Sequence, residues 1–130
     1  MKALSKRIHL ISLFLIVTAS WSYADYKGEL NQSAAQERLA SGSITAIDVR
    51  SADEYNAGHV PGALNIPHNQ IEERLDQILH LKDKPVLLYC RSGRRAGMAE
   101  ATLTELGFTQ LYHLQGDMQG WSENRLPEEK

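Results

Sequence analysis

Cysteine is nearly absent from this chain, because Cys90 is the only one in 130 residues. One thiol cannot form an intramolecular disulfide, and it cannot supply the cysteine pairs of a structural zinc site. The chain also contains no internal repeat and no low-complexity tract. Its length therefore indicates one ordinary domain rather than a repeat array or a disulfide-stapled scaffold.

Long hydrophobic runs are also lacking. The longest apolar stretch, residues 8–19, is shorter than the roughly 20 apolar residues of an ordinary membrane-spanning helix. Three basic residues precede it, and small residues follow at the −3 and −1 positions of a cleavage site after Ala24. This pattern predicts a cleaved secretory signal peptide over residues 1–24, with a retained N-terminal anchor as the alternative. No cysteine lies near the cleavage site, which excludes a lipid anchor.

The predicted mature chain, residues 25–130, is acidic. Removing Lys2, Lys6 and Arg7 from the 14 basic residues leaves 11 against 16 acidic residues, a formal net charge of −5. That balance argues against a nucleic-acid partner. Three of the 11 basic residues nevertheless follow Cys90 within five positions: Arg91, Arg94 and Arg95. This segment is therefore a positively charged site, suited to binding an anion, on an otherwise acidic protein.

Turn signals divide the mature chain into alternating short strands and helices. Helices are predicted over residues 33–41, 51–58, 71–79 and 96–106, with a last short one from Met118. Strands are predicted over 44–47, 63–66, 86–89 and 110–114. The strand at 86–89 has no polar alternation, which indicates burial on both faces of a parallel sheet. We therefore expect an α/β layered fold with a largely parallel sheet.

Cys90 follows directly after the most apolar strand, where parallel sheets place their ligand sites. A strand-to-helix loop can turn its backbone N–H groups toward one anion, and Gly93 allows the positive φ angle that such a curl needs. Ser92 adds a hydroxyl donor, and the arginines add guanidinium groups. This setting favours the thiolate of Cys90, which can attack electrophilic sulfur or phosphorus. A buried, inert cysteine is the alternative.

Several motifs together resemble those of the single-domain rhodaneses, which are thiosulfate sulfurtransferases. The resemblance covers roughly residues 30–125, nearly all of the mature chain. The chain is similar in particular to the small periplasmic rhodaneses linked to phage shock. The matching elements are Ile47-Asp48-Val49-Arg50, Glu54-Tyr55, Gly58-His59-Val60-Pro61-Gly62-Ala63-Leu64-Asn65-Ile66-Pro67, the loop Cys90-Arg91-Ser92-Gly93-Arg94-Arg95, and Leu114-Gln115-Gly116-Asp117 with Trp121.

The resemblance implies a three-layer rhodanese domain over residues 25–130, with helices on both faces of the sheet. It implies that Cys90 takes a sulfur atom from thiosulfate, carries it as a persulfide and passes it to a thiophilic acceptor. The loop residues 91–95 would bind the substrate. No metal or organic cofactor is implied. We expect a periplasmic monomer with no membrane association after cleavage.

The resemblance also assigns roles to three residues outside the loop. Asp48 and Arg50 are expected to organise the loop through hydrogen bonds and ion pairs. His59 is expected to make a structural hydrogen bond rather than to act as a general base. Asp117 departs from the family, since many rhodaneses have glycine at this position. An acid there can compete for a loop arginine or repel thiosulfate.

Three other functions would also use a reactive cysteine in such a loop: phosphoryl transfer, sulfur carriage with weak turnover and redox sensing. Related phosphatases place arginine six residues after the cysteine, where this chain has Ala96, and usually place histidine before it, where this chain has Tyr89. A persulfide carrier with weak turnover needs the same residues as the enzyme. A redox-sensing thiol would form an intermolecular disulfide.

Overall fold

The computed structural model describes residues 26–130, so the predicted signal peptide lies outside the described residues. Five parallel strands form one sheet in the order β1-β5-β4-β2-β3. The strands are β1 (Tyr26–Leu30), β2 (Thr45–Asp48), β3 (Leu64–Asn65), β4 (Val86–Tyr89) and β5 (Leu111–Leu114). The α-helices are α1 (Gln32–Ala40), α2 (Ala52–Ala57), α3 (Arg94–Glu105) and α4 (Asp117–Glu123).

Strand β4 lies at the centre of the sheet, between β5 and β2, and all four of its side chains are buried. Successive side chains point to opposite faces. Leu88 accordingly packs with Ala99 and Leu103 of α3, whereas Leu87 packs with Ala35 of α1 and Trp121 of α4. The predicted α/β fold, a parallel sheet with helices on both faces, is confirmed.

Two helix starts show how local capping sets the boundaries. The predicted capping box of Ser51 and Glu54 is present at the start of α2. The predicted start of α1 at Ser33 is wrong, because Asn31 caps this helix and its side chain accepts the N–H of Ala34 at 2.8 Å. Strand β1, which the sequence analysis missed, ends at Leu30, so Asn31 is where the chain turns. Asparagine is among the preferred N-cap residues.

The predicted α-helix over residues 71–79 is wrong. Turns and two short 3₁₀ helices, Leu75–Gln77 and Leu79–Leu81, occupy this segment. Backbone bonds from Ile78 to Leu75 and from Leu81 to Ile78 close three-residue turns. The tighter winding buries Ile71, Ile78 and Leu81 but leaves Leu79 51% exposed, so the apolar stripe of an α-helix does not form.

The register of the sheet determines which residues meet at its carboxyl edge. Asp48 at the end of β2 pairs with Tyr89 at the end of β4. The residues that follow these two strands, Arg50 and Cys90, are thereby brought to one side of the molecule. Strand β5 lies on the other side of β4, and the turn after it leads into α4.

Candidate active site

Cys90 is the first residue after β4, and it is 1% exposed. The backbone N–H of Gly93 donates a hydrogen bond to Cys90 Sγ at 3.0 Å. Gly93 adopts a φ of 112°, in the region that favours glycine, and the 12-residue helix α3 begins at the next residue. The sulfur therefore faces an N–H donor at the positive end of a helix dipole, which stabilises negative charge on it.

Two loop carbonyls accept hydrogen bonds from the start of α4. The N–H of Met118 donates to the carbonyl of Cys90 at 2.9 Å, and the N–H of Gln119 donates to the carbonyl of Arg91 at 3.0 Å. The start of α4 thus holds the first two residues of the loop. With these carbonyls occupied, the loop can present N–H groups to an anion.

The three loop arginines have different surroundings. Arg95 forms a bidentate ion pair with Glu54 of α2, with N···O distances of 2.6 and 3.0 Å. Arg91 and Arg94 are exposed, and neither makes an ion pair within residues 26–130. Ser92 is also exposed. Two of the three guanidinium groups are consequently open to an anionic substrate, whereas the third joins the loop to α2.

Asp48 and Arg50 form a buried pair of their own. Arg50 Nη2 donates to Asp48 Oδ2 at 2.6 Å and to the carbonyl of Gly58 at 2.7 Å. The Arg50 guanidinium also lies 5.8 Å from the ring centre of Tyr89, the residue before Cys90. The Tyr89 hydroxyl accepts the N–H of Val60, and burial raises the pKa of this tyrosine. The pair therefore supports the end of β4 rather than bonding to a loop arginine.

His59 lies in the turn after α2. Its Nδ1 is 2.8 Å from the carbonyl oxygen of Tyr55, and its ring stacks on the Tyr55 ring at a centroid distance of 3.6 Å. Its backbone pairs with Glu129 near the C-terminus. These contacts are structural, and they do not direct the imidazole toward the sulfur.

Two further residues lie beside the loop: Asp117, which the sequence analysis expected to approach a loop arginine, and His113, to which it assigned no role. Asp117 is buried, and its Oδ1 accepts the backbone N–H of Cys90 at 3.0 Å. His113 Nε2 lies 2.9 Å from the same oxygen. Asp117 therefore does not compete for a loop arginine. The four-residue spacing of His113 and Asp117 was the available signal, but it carries no meaning until β5 is placed beside β4.

An open cleft of about 540 Å³ adjoins the loop, and Arg50, Glu54 and Arg91 contribute to its lining. Within the described part of the chain, no three His, Cys, Asp or Glu residues cluster as a metal site would require. No helix in residues 26–130 is both long and apolar enough to cross a membrane. The chemistry open to this arrangement is nucleophilic attack by Cys90 on a small anion.

The Glu54–Arg95 pair predicts a pH dependence. Hydrogen bonds from Arg95 lower the pKa of Glu54 from 4.5 to about 2. A carboxyl whose pKa is lower in the folded state stabilises the fold above pH 4.5, and this contribution is lost as the pH falls from 4.5 to about 2. Glu54→Gln should flatten that part of the stability curve and cost about 1 kcal/mol or less at pH 7, because the pair is partly exposed.

Urea unfolding between pH 2 and 7 measures this effect, with Glu72→Gln, an exposed carboxylate, as the matched control. An unchanged pH dependence of stability in Glu54→Gln would contradict the assignment.

Comparison with known proteins agrees with this geometry. The family model of the rhodanese-like domain matches residues 31–124. A sulfurtransferase of Allochromatium vinosum is 33% identical over 76% of this chain and 92% of its own length. The thiosulfate sulfurtransferase PspE of Escherichia coli is 39% identical over 54% of this chain and 67% of its own length.

A solved structure shows the same fold. The human single-domain sulfurtransferase has a TM-score of 0.64 and 29% identity, covering 75% of this chain and 96% of its own. Relatives also include the tRNA uridine(34) hydroxylase of Buchnera aphidicola, of which this chain spans 31%. With the family match over residues 31–124 and the relative from Allochromatium vinosum, the chain belongs to the rhodanese-like domain family.

Proposed function

We propose that the protein is an exported sulfurtransferase that moves sulfane sulfur from thiosulfate to a thiophilic acceptor through a persulfide on Cys90. The observation that carries this proposal is the 3.0 Å hydrogen bond from the Gly93 N–H to Cys90 Sγ. It places a nucleophilic sulfur at the N-terminus of α3, within a loop whose Arg91 and Arg94 remain exposed. The relative PspE is named a thiosulfate sulfurtransferase, which supports the choice of donor.

The reaction proceeds in two displacements. The Cys90 thiolate attacks the outer sulfur of thiosulfate, a new S–S bond forms, and the S–S bond of thiosulfate breaks. Sulfite leaves with the electron pair of that bond, and the terminal sulfur of the Cys90 persulfide carries the negative charge. An acceptor such as cyanide then attacks this terminal sulfur, and thiocyanate leaves while the thiolate is restored. The backbone N–H groups at the start of α3 stabilise the charge in both steps.

The length of the loop favours sulfur over phosphate as the transferred group. Helix α3 begins at Arg94, four residues after Cys90. The position at which related phosphatases carry a phosphate-binding arginine is Ala96, which is buried in the core against β4. No guanidinium group can reach the substrate from there. Phosphoryl transfer, which requires dense positive charge around the phosphoryl oxygens, is therefore disfavoured.

The burial of Cys90 bears on the two remaining alternatives. Because Cys90 is 1% exposed, its sulfur cannot reach the thiol of another large protein without movement of the loop, which counts against a redox sensor. A persulfide carrier needs the same cradle as the enzyme. Turnover therefore has to be measured to separate the carrier from the enzyme.

A steady-state assay of residues 25–130 with thiosulfate and cyanide tests the proposal. We expect thiocyanate to be produced continuously, and mass spectrometry after thiosulfate alone should show one added sulfur atom on Cys90. An added sulfur atom on Cys90 without turnover would show that the protein is a persulfide carrier and not an enzyme. Neither product nor adduct would overturn sulfur transfer.

Export forms a separate part of the proposal. The basic start, the apolar stretch over residues 8–19 and the small residues before position 25 support periplasmic localisation. Expression of the full chain in a Gram-negative host, followed by osmotic shock, should release a protein that begins at Asp25. Full-length protein retained in the membrane or cytoplasm would contradict export.

A further inference from the structure

The side chains of His113 and Asp117 form a pair that backs the Cys90 loop. Asp117 Oδ1 accepts the Cys90 N–H at 3.0 Å, while His113 Nε2 lies 2.9 Å from Oδ1 and 3.0 Å from Oδ2. A Cβ atom built on Gly93 would lie 3.2 Å from Asp117 Oδ2 and 3.7 Å from His113 Cε1. The pair thus hydrogen-bonds to Cys90 and lies beside Gly93, the two residues that join in the N–H···S hydrogen bond.

The backbone at Asp117 is held in an uncommon conformation. Its φ is 53°, and its side chain is buried, with 3% of the residue exposed. Non-glycine residues seldom adopt positive φ, and strained residues of this kind cluster at functional sites. A buried carboxylate also needs a charged or hydrogen-bonding partner. His113 and the Cys90 N–H supply these partners, so the Asp117 side chain lies against the backbone of the nucleophile.

A carboxylate at this position would by itself oppose the negative charge of a thiolate, a persulfide or thiosulfate. A protonated His113 cancels that charge. Groups from three elements face His113: Asp117 at the start of α4, Glu29 of β1 at 3.3 Å from Nδ1, and Glu100 of α3. The hydrogen bond with Asp117 raises the pKa of His113 above 6.5, against the effect of burial, and Glu29 acts in the same direction.

We propose that His113 and Asp117 are positioning residues for the Cys90 loop, and that the charge of His113 sets how well the loop binds an anionic sulfur donor. The proposal rests on the sulfurtransferase function proposed above. Protonated His113 leaves the pair neutral, and the loop then attracts an anion. As the pH rises through the pKa of His113, the Asp117 charge becomes uncompensated and repels the donor. The effect falls on donor binding rather than on the displacement steps.

Kinetics with thiosulfate and cyanide between pH 5.5 and 9 test this proposal. In the wild-type protein, KM for thiosulfate should rise about tenfold across the upper part of that range, with a much smaller change in kcat. His113→Gln should show the raised KM already at pH 6, with no further rise. Asp117→Asn should keep a low KM at all pH values, because the amide oxygen can still accept the Cys90 N–H without carrying charge.

Asp117→Gly serves as a second neutral variant, since glycine adopts positive φ without strain. His80→Gln, an exposed histidine, is the control and should match the wild-type profile. Wild-type pH profiles of KM in His113→Gln and in both Asp117 variants would overturn the proposal.

A binding measurement separates failure of this inference from failure of the proposed function. Cys90→Ser cannot transfer sulfur, so calorimetric titration with thiosulfate at pH 6 and pH 9, the ends of the range, reports anion binding alone. We expect affinity to fall about tenfold at the higher pH in Cys90→Ser and to stay constant in Cys90→Ser/Asp117→Asn. If affinity falls in this way but the wild-type protein shows no turnover, the proposed enzymatic function is refuted and the proposed role of His113 and Asp117 stands. Equal affinities at the two pH values in Cys90→Ser, in a protein that turns over, would refute the pair alone.

Discussion

Cys90→Ser is expected to lower the rate of thiocyanate production by at least about 10³-fold, because the transferred sulfur has no other attachment point in the chain. Serine is close to cysteine in size, and its oxygen can accept the Gly93 N–H that now reaches Sγ at 3.0 Å. The loop should therefore keep its conformation, and thermal unfolding should change little. A hydroxyl does not ionise near neutral pH, so the attack on sulfur is lost. Mass spectrometry should show no added sulfur after exposure to thiosulfate.

A relocated cysteine provides the matched control for this prediction. Ser33 is exposed on α1, and Ser33→Cys in the Cys90→Ser background restores one thiol per chain outside the loop. This double variant should remain inactive, because its thiol lacks the N–H donor and the helix N-terminus. Activity comparable to wild type in either protein would show that the Cys90 loop is not the site of transfer.

Asp48→Ala is expected to lower the free energy of unfolding by about 3–5 kcal/mol. The carboxylate is fully buried, and it accepts hydrogen bonds from Arg50 Nε and Nη2. Its removal leaves the Arg50 guanidinium buried, with the Gly58 carbonyl as its one remaining hydrogen-bond acceptor among residues 26–130. Because small domains have about 5–15 kcal/mol of stability, this loss is a large fraction of the whole. Urea unfolding at pH 7 measures it.

Asp53→Ala is the control for this second prediction, since Asp53 is an exposed carboxylate in the first turn of α2. Its loss should cost about 1 kcal/mol or less, through the helix dipole. Asp48→Ala/Arg50→Met should recover part of the stability, because it removes the unpaired charge as well. An Asp48→Ala protein as stable as Asp53→Ala would show that the buried pair does not stabilise the fold.

Strand β4, helix α3 and the capping box of Ser51 were predictable because their signals are local. A strand of four apolar residues, an apolar stripe at helical spacing and a side chain that caps its own helix act over fewer than a dozen residues. Strand β1 was not predictable in the same way. Its residues Lys27, Gly28 and Glu29 show no apolar alternation, and the strand is stable because it pairs with β5 at the sheet edge.

The segment 71–79 failed for a related reason. Its apolar residues satisfy the spacing of an α-helix, yet the chain follows a tighter path that buries Ile71, Ile78 and the later Leu81 in the core and leaves Leu79 exposed. Packing against the sheet favours the 3₁₀ path over the α-helix, and the spacing of apolar residues does not describe that packing. The spacing of apolar residues predicts secondary structure poorly wherever the chain can bury its apolar side chains along two different paths.

The residues alone are enough to predict that Cys90 follows a buried strand, that its loop needs a glycine, and which family the chain resembles. The charged groups around the loop come together only in the folded protein. Arg95 meets Glu54 from 41 residues away, and Asp117 meets the Cys90 N–H across 27 residues. Such pairs form only when the crossovers of a parallel sheet bring distant strand ends to one edge. Helix capping and apolar periodicity carry no information about such long-range contacts, because they act within a single helix or strand.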